Sequence, residues 1–205
     1  MTVIFLKYSR YNSITSFTSL LKSSYALKYS ACPFELSLDI SRFCDVIICD
    51  YNYAFDPIVR LKRYFEESGE YIFLIDEAHN LSERARGMYS AEISKYELQN
   101  ARKNMKSYKT LYASLGKINT SFNKIAKYSE SENYTEIKSS DEVFSHIADF
   151  ILKTDKYAYQ HGQIPDTVLD IYLKLLRFTR LYQISSDAHI NYFDKTEKAL
   201  HLYCL

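Results

Sequence analysis

The 205-residue chain has few glycines and few cysteines, and each shortage excludes a kind of site. Only 4 of each occur. Loops that cradle phosphate groups need glycine, and the phosphate-binding motif G-x-x-x-x-G-K-[ST] is absent from the sequence. The cysteines, Cys32, Cys44, Cys49 and Cys204, form no C-x-x-C pair and no pattern of a small disulfide-rich domain. A reducing, cytoplasmic setting is therefore expected.

The sequence also lacks long apolar runs and a strong net charge. No stretch of about 18 apolar residues occurs, so no membrane span is expected. The formal net charge is +1, so any surface that binds nucleic acid must be local. A hydrophobic content of 47% is typical of a globular protein with a sizeable core, in one large domain or two small ones.

Two short apolar runs that end in acidic residues predict buried strands. They are 45–50 (DVIICD) and 71–77 (YIFLIDE), and both are rich in residues that favour sheets. Between them, 51–57 is predicted to be a loop, followed by a helix that Pro57 can open and Gly69 ends, with Ile58, Leu61, Tyr64 and Phe65 on its apolar face. A strand, a helix and a strand predict a parallel sheet with a right-handed crossover. Both strands would then end at one edge, where open α/β sheets bind ligands.

The sequence Asp76-Glu77-Ala78-His79 follows the second run directly. Adjacent carboxylates at the end of a buried strand are typical of the Walker B motif of nucleotide-hydrolysing motors. One carboxylate binds Mg²⁺ and the next polarises the attacking water. The alternative is that Asp76 and Glu77 are solvated loop residues and that His79 caps or hydrogen-bonds locally.

Residues 95–185 predict an all-helical insertion. From Ala101 to Ala126 the apolar residues are spaced alternately four and three apart, which predicts one long amphipathic helix, with Gly116 permitting a bend. Two more helices are predicted, around 143–151 and 168–182. Beyond them, 188–193 and 199–205 alternate apolar and polar residues, which predicts a β-hairpin with its turn at 194–198.

Charge is segregated within this insertion. Residues 95–127 contain eight basic residues and one acidic residue, whereas 130–149 contain six acidic residues and one lysine. One interpretation is a basic helix that lines a nucleic-acid path, with Arg102, Lys103, Lys106 and Lys109 as candidate DNA-binding residues. The other is a solvated helix that its acidic neighbour neutralises.

Three separate blocks resemble the iron–sulfur DNA helicases, in particular the DinG-type relatives of the xeroderma pigmentosum group D helicase in superfamily 2. The blocks are 32–39 (CPFELSLD), 44–57 (CDVIICDYNYAFDP) and 74–81 (LIDEAHNL). The resemblance covers about 25–205. It implies an α/β fold in which a partial parallel-sheet helicase motor domain carries an all-helical, arch-like insertion.

The resemblance also implies a domain order and an activity. It assigns 1–44 to a remnant of the iron–sulfur region, 45–94 to part of the first motor domain, 95–186 to the arch-like insertion and 187–205 to a hairpin that returns to the motor domain. The family couples ATP hydrolysis to movement along single-stranded DNA.

Individual roles follow from the same resemblance. Asp76 resembles the Mg²⁺-binding carboxylate, Glu77 the water-activating carboxylate, and His79 the histidine that couples nucleotide state to DNA. Cys32 resembles the last of four cysteine ligands of a 4Fe–4S cluster. Cys49, inside a predicted strand, is better explained as a small core residue.

The sequence departs from the family in what it lacks. No cysteine precedes Cys32, so a 4Fe–4S cluster is not expected to assemble on this chain alone. The phosphate loop and the second motor domain are also missing. The sequence therefore predicts an internal piece of a helicase that is inactive alone, with products of neighbouring reading frames as candidate partners. The alternative is a non-catalytic DNA- or protein-binding module that uses 95–127.

Overall fold

The computed structural model describes residues 2–7, 25–65, 71–128, 133–138 and 142–205. The chain divides into two compact units, Met1–Leu81 and Ser82–Leu205. Much of the segment 1–44, predicted as an iron–sulfur remnant, lies outside the described residues. No described helix is both long and apolar enough to cross a membrane.

The first unit contains a three-stranded sheet and short helices. Its elements are β1 (Thr2–Lys7), α1 (Pro33–Ser41), β2 (Val46–Asp50), α2 (Tyr51–Phe55), α3 (Lys62–Phe65), β3 (Tyr71–Ile75) and a 3₁₀ turn (Ala78–Asn80). The strand order is β2-β1-β3, and β1 pairs antiparallel with both neighbours.

The prediction that β2 and β3 pair in a parallel sheet is therefore wrong, because β1 lies between these two strands. Residues 2–6 (TVIFL) are apolar and favour strands, but their sequence does not reveal which strands they pair with. Since β2 and β3 are each antiparallel to β1, they run in the same direction. Their C-terminal ends thus share one edge of the sheet, as expected.

The connection between β2 and β3 also differs from the prediction. The predicted loop at 51–57 contains α2, because the Asp50 side chain caps the helix by accepting from the Asn52 amide at 2.9 Å. Asp56 is buried and accepts from the amides of Ile58 and Val59 at 2.8 and 3.1 Å, which forms a turn. In the described part of the predicted helix, which ends at residue 65, only Lys62–Phe65 is helical.

One face of this sheet is apolar and exposed, although both strands were predicted to be buried. Val46 and Ile48 of β2 are 50% and 66% exposed, and Ile72 and Leu74 of β3 are 62% and 53% exposed. Ile4 of β1 is in register with Ile48 and Leu74. These five residues are called the apolar face.

The second unit combines helices with a four-stranded sheet. Its elements are α4 (Leu81–Met88), β4 (Ala91–Ser94), α5 (Lys95–Asn104), α6 (Lys109–Tyr128), β5 (Tyr134–Glu136), α7 (Glu142–His161), α8 (Asp166–Gln183), β6 (His189–Asp194) and β7 (Ala199–Cys204). The strand order is β4-β7-β6-β5, with every pair antiparallel. The predicted hairpin is confirmed as β6 and β7.

The hairpin turn and the core explain why the second unit holds together. The Asp194 carboxylate accepts from the amides of Thr196 and Glu197 at 2.7 and 2.9 Å, which closes the turn. Phe122 of α6 meets Phe193 of β6 edge to face, with ring centroids 5.2 Å apart. Both rings are fully buried, so this contact joins the helices to the sheet.

The prediction of one long helix from 101 to 126 is wrong. The chain turns between α5 and α6, where the Met105 amide donates to Arg102 and the Tyr108 amide donates to Met105. Met105 is fully buried, so the apolar spacing continues through the turn and hides it from a periodicity argument. Gly116 lies inside α6 and not at the bend.

Candidate functional site

Asp76 and Glu77 follow β3 directly, at the sheet edge where β2 also ends. The Asp76 amide donates to the Thr2 carbonyl at 3.1 Å, and Thr2 pairs with Asp50, the last residue of β2. Two strand spacings therefore separate Asp50 from Asp76, about 10 Å. The side chains of all three acidic residues are exposed at this edge.

A buried tyrosine fixes the backbone of this site. The Tyr51 side chain is fully buried, and its hydroxyl donates to the Asp76 carbonyl at 2.7 Å. Tyr51 begins α2 directly after β2, so the end of one strand positions the end of the other. This role of Tyr51 was not predicted from the sequence. A signal for it was present, because a buried tyrosine usually needs a hydrogen-bond partner for its hydroxyl, and Tyr51 lies next to the end of a strand.

Glu77 adopts a left-handed backbone conformation, with φ 53° and ψ 40°. It leads into the 3₁₀ turn, where the Asn80 amide donates to the Glu77 carbonyl at 3.0 Å. His79 Nδ1 lies 3.4 Å from Glu77 Oε2, and both side chains are largely exposed. This contact of His79 with Glu77 is local, and the role of His79 in coupling nucleotide state to DNA stays a prediction.

The donor set at this edge fits a magnesium–nucleotide complex. Mg²⁺ takes one or two carboxylates together with water and substrate phosphates. Asp76 and Glu77 supply exposed carboxylate oxygens, and a cavity of about 580 Å³ opens beside Asp76. Its other lining residues are Thr2, Ile4, Phe73, Leu74 and Ile75. Magnesium bound here would polarise a phosphate and an attacking water.

The cysteines do not fit a 4Fe–4S cluster, which needs four thiolates. Cys32 is exposed just before α1, but residues 1–81 contain only two other cysteines, Cys44 and Cys49. The Cys44 thiol donates to the Ile40 carbonyl at 3.6 Å. Burial and then the charge of Asp50 raise the pKa of Cys49. Among the described residues no three Cys, His, Asp or Glu side chains are grouped to bind a metal.

The C-terminal half of the basic segment is neutralised by the acidic helix α7. Lys124 Nζ lies 2.8 Å from Glu142, and its hydrogen bond and charge lower the pKa of that carboxyl. Asp149 of α7 pairs with Lys153 of the same helix, and hydrogen bonds from Lys153 and then from Ser114 of α6 lower the pKa of its carboxyl. This half of the segment supports the interpretation of a neutralised helix.

The N-terminal half is different, because its cations line a cleft between α5 and α6. The cleft has a volume of about 180 Å³ and is called the basic cleft. Its lining residues are Gln99, Arg102, Lys103, Lys106, Tyr112 and Asn119. Three of the four candidate DNA-binding residues are thus brought together. The fourth, Lys109, is exposed at the start of α6 and does not line the cleft.

Comparison with known proteins finds similarity to helicases. Residues 6–98 match the DEAD_2 family model. The matched region contains β2, β3 and the sequence Asp76-Glu77-Ala78-His79. The Fanconi anemia group J protein homolog of Gallus gallus is 32% identical over 82 residues, 40% of this chain and 6% of that protein. The helicase subunit XPD of the general transcription and DNA repair factor IIH of Schizosaccharomyces pombe is 31% identical over 85 residues, 42% of this chain and 11% of that protein.

Two further matches extend beyond the DEAD_2 region. The ATP-dependent DNA helicase CHL1 of Saccharomyces cerevisiae is 28% identical over 164 residues, 75% of this chain and 17% of that protein. A solved XPD helicase structure aligns with 91% of this chain and 33% of that chain, at 24% identity and a TM-score of 0.54, and shows the same fold. The chain thus spans only 6% to 17% of these curated relatives.

Proposed function

We propose that this chain is part of a DinG/XPD-type, ATP-dependent DNA helicase of superfamily 2, and the match of residues 6–98 to the DEAD_2 family model supports the proposal. Asp76 binds the Mg²⁺ of the nucleotide, and Glu77 orients and polarises the attacking water. The observation that carries this proposal is the position of both carboxylates at the shared C-terminal edge of β2 and β3.

The proposal assigns the remaining elements to the helicase as well. Helices α5 to α8 form the arch-like insertion of 95–186, and the hairpin of β6 and β7 returns to pair with β4 at the end of 45–94. His79, beside Glu77, passes the state of the nucleotide to the DNA-binding side.

These 205 residues do not hydrolyse ATP alone, because they contain no phosphate-binding loop. The proposal requires a phosphate loop and a second motor domain from outside these 205 residues, and products of neighbouring reading frames are candidate sources. Hydrolysis then drives movement along single-stranded DNA.

Mg²⁺-dependent ATP hydrolysis tests this proposal, measured with and without single-stranded DNA. The chain alone should be inactive, and the chain mixed with the products of neighbouring frames should show hydrolysis that DNA stimulates. Glu77→Gln should abolish that hydrolysis, while Glu83→Gln, an equal charge change at an exposed residue of α4, should not. Hydrolysis by the chain alone, or activity that survives Glu77→Gln, would contradict the assignment.

A second candidate function is a non-catalytic module that grips single-stranded DNA through 95–127. Lys103, Lys106 and Lys109 favour it, because they are exposed and no ion pair joins them to an acidic side chain in the described part of the chain. Charge reversal at all three should lower affinity and flatten its salt dependence by about 0.7 in log–log slope per lost phosphate contact. Unchanged affinity would exclude this module.

A further inference from the structure

We propose that the basic cleft between α5 and α6 binds one backbone phosphate of single-stranded DNA, with Arg102 as the central ligand held in place by Tyr112 and Gly116. This inference rests on the second candidate function and gives it a defined site. The argument combines a fixed guanidinium, a space beside it and an excess of cations that line it.

Arg102 is held on one side only. Its Nε donates to the Tyr112 carbonyl at 3.3 Å, and its guanidinium carbon lies 4.1 Å from the centre of the Tyr112 ring. A guanidinium stacked in this way has already lost much of its rotational freedom, so less freedom is lost when it binds a ligand. No hydrogen bond from its two terminal nitrogens is found among the described residues, and that end is the one that grips a phosphate with two parallel bonds.

Gly116 makes this position possible. A β-carbon built at Gly116 would lie 3.0 Å from Nη2 of Arg102 and 3.1 Å from its Cζ, closer than ordinary contact. The glycine is therefore the reason that the guanidinium can lie against α6. Alanine at this position would push the guanidinium outward by a few tenths of an ångström and misplace its two donors.

The other residues that line the cleft favour an anionic ligand over a cationic one. Lys103 and Lys106 add two ammonium groups, and no acidic side chain lines the cleft. Glu97, the acidic residue of α5, is occupied by Ser94 and Lys174.

A purely structural explanation is that Arg102 and Lys103, in the last turn of α5, compensate the partial negative charge of the helix C-terminus. That explanation requires a positive charge but does not require the paired N–H donors of a guanidinium. Arg102→Lys separates the two explanations, because lysine keeps the charge and loses the paired donors.

The experiment measures binding of a fluorescently labelled oligothymidylate to the full chain by anisotropy, and displacement of that DNA by inorganic phosphate at an ionic strength matched with sodium chloride. Arg102→Gln and Arg102→Lys should each weaken DNA binding by about tenfold or more. Lys156→Gln, an equal charge loss at an exposed residue of α7, should change it by less than about twofold. Lys106→Gln keeps the test decisive if the Arg102 variants unfold, because Lys106 is exposed and should also weaken binding more than Lys156→Gln does.

Competition by phosphate beyond the sodium chloride control, lost in Arg102→Gln, would support the phosphate site. Equal affinity in Arg102→Gln, Lys106→Gln and Lys156→Gln would overturn the cleft while leaving DNA binding by the segment intact. Full affinity in Arg102→Lys would overturn the bidentate role of Arg102. A wild-type chain that binds phosphate but no DNA would overturn the DNA assignment together with the second candidate function.

Discussion

Replacing Glu97 with glutamine should loosen α5, the helix that carries Arg102 and Lys103. Glu97 Oε2 accepts from the Ser94 amide at 3.0 Å and from the Ser94 hydroxyl at 2.8 Å, and Ser94 Oγ accepts from the Glu97 amide at 3.3 Å. Its other oxygen pairs with the Lys174 ammonium of α8. One carboxylate thus completes a capping box and ties α5 to α8.

The expected loss follows from these two interactions. Glutamine has a single acceptor oxygen, so it satisfies either Ser94 or Lys174. Loss of a helix cap costs about 1 kcal/mol. The ion pair adds less than about 1 kcal/mol, because the side chains of Lys174 and Glu97 are 36% and 39% exposed and water screens them. The free energy of unfolding should therefore fall by about 1–2 kcal/mol at neutral pH.

The loss should also depend on pH. Burial alone would raise the pKa of Glu97, but hydrogen bonds from Lys174 and Ser94 outweigh it, and the pKa is lowered. A carboxyl group with a lowered folded-state pKa stabilises the fold above its unfolded pKa, and this stabilisation is lost as pH falls through the folded pKa. The difference between wild type and Glu97→Gln should therefore be largest at neutral pH and shrink below the ordinary glutamate range.

Urea unfolding followed by circular dichroism at neutral and acidic pH measures this difference. Lys174→Met and the double variant complete a cycle that isolates the coupling between the two side chains. Glu83→Gln serves as a control for the loss of an exposed carboxylate. An equal loss at both pH values would refute the reasoning.

Three further substitutions test other contacts. Tyr51→Phe removes the hydrogen bond to the Asp76 carbonyl, and hydrogen exchange around Asp76 should become about fivefold faster, as expected for a loss of about 1 kcal/mol; unchanged exchange would contradict the positioning role. Phe122→Ala empties a fully buried aromatic site and should lower the free energy of unfolding by about 3–5 kcal/mol in urea. Ser114→Ala removes the 2.6 Å hydrogen bond to Asp149 and should raise the pKa of that carboxyl in an NMR titration. The free energy of unfolding at acidic pH, where Asp149 is protonated, should stay nearly unchanged.

Local pattern was enough to predict the elements whose signal lies within their own residues. The apolar run before Asp76 forms β3, and the alternating arms at the C-terminus form β6 and β7. The apolar spacings around Val143 and Val168 form α7 and α8. In each case the burial of one face requires the period that the sequence displays.

Pairing and small turns were beyond the reach of local pattern. The insertion of β1 between β2 and β3 depends on residues at least 40 positions apart, which no short window contains. The turn between α5 and α6 keeps Met105 in the core and therefore leaves the spacing intact. A periodic pattern reports which side of the chain is buried and does not report whether the helix axis is continuous.

The candidate sites also contain residues that local sequence pattern identifies and residues that only the fold brings together. Asp76 and Glu77 were identifiable because the strand and the carboxylates are adjacent in sequence. The positioning role of Tyr51 and the selection of Arg102, Lys103 and Lys106 from a longer basic segment arise from contacts between separate elements. The sequence therefore indicated the chemistry of the candidate sites, and the fold shows which of their side chains lie together.

The left-handed backbone conformation of Glu77 favours particular substitutions at this position. A residue with a side chain costs about 1 kcal/mol or more in this conformation, whereas glycine adopts it freely. Glycine here would make the loop more stable and remove the carboxylate. Selection for folding alone therefore favours glycine or asparagine at position 77, whereas selection for the hydrolytic role proposed for Glu77 would retain glutamate. The residue that natural variants of this chain carry at position 77 reports which selection acts on them.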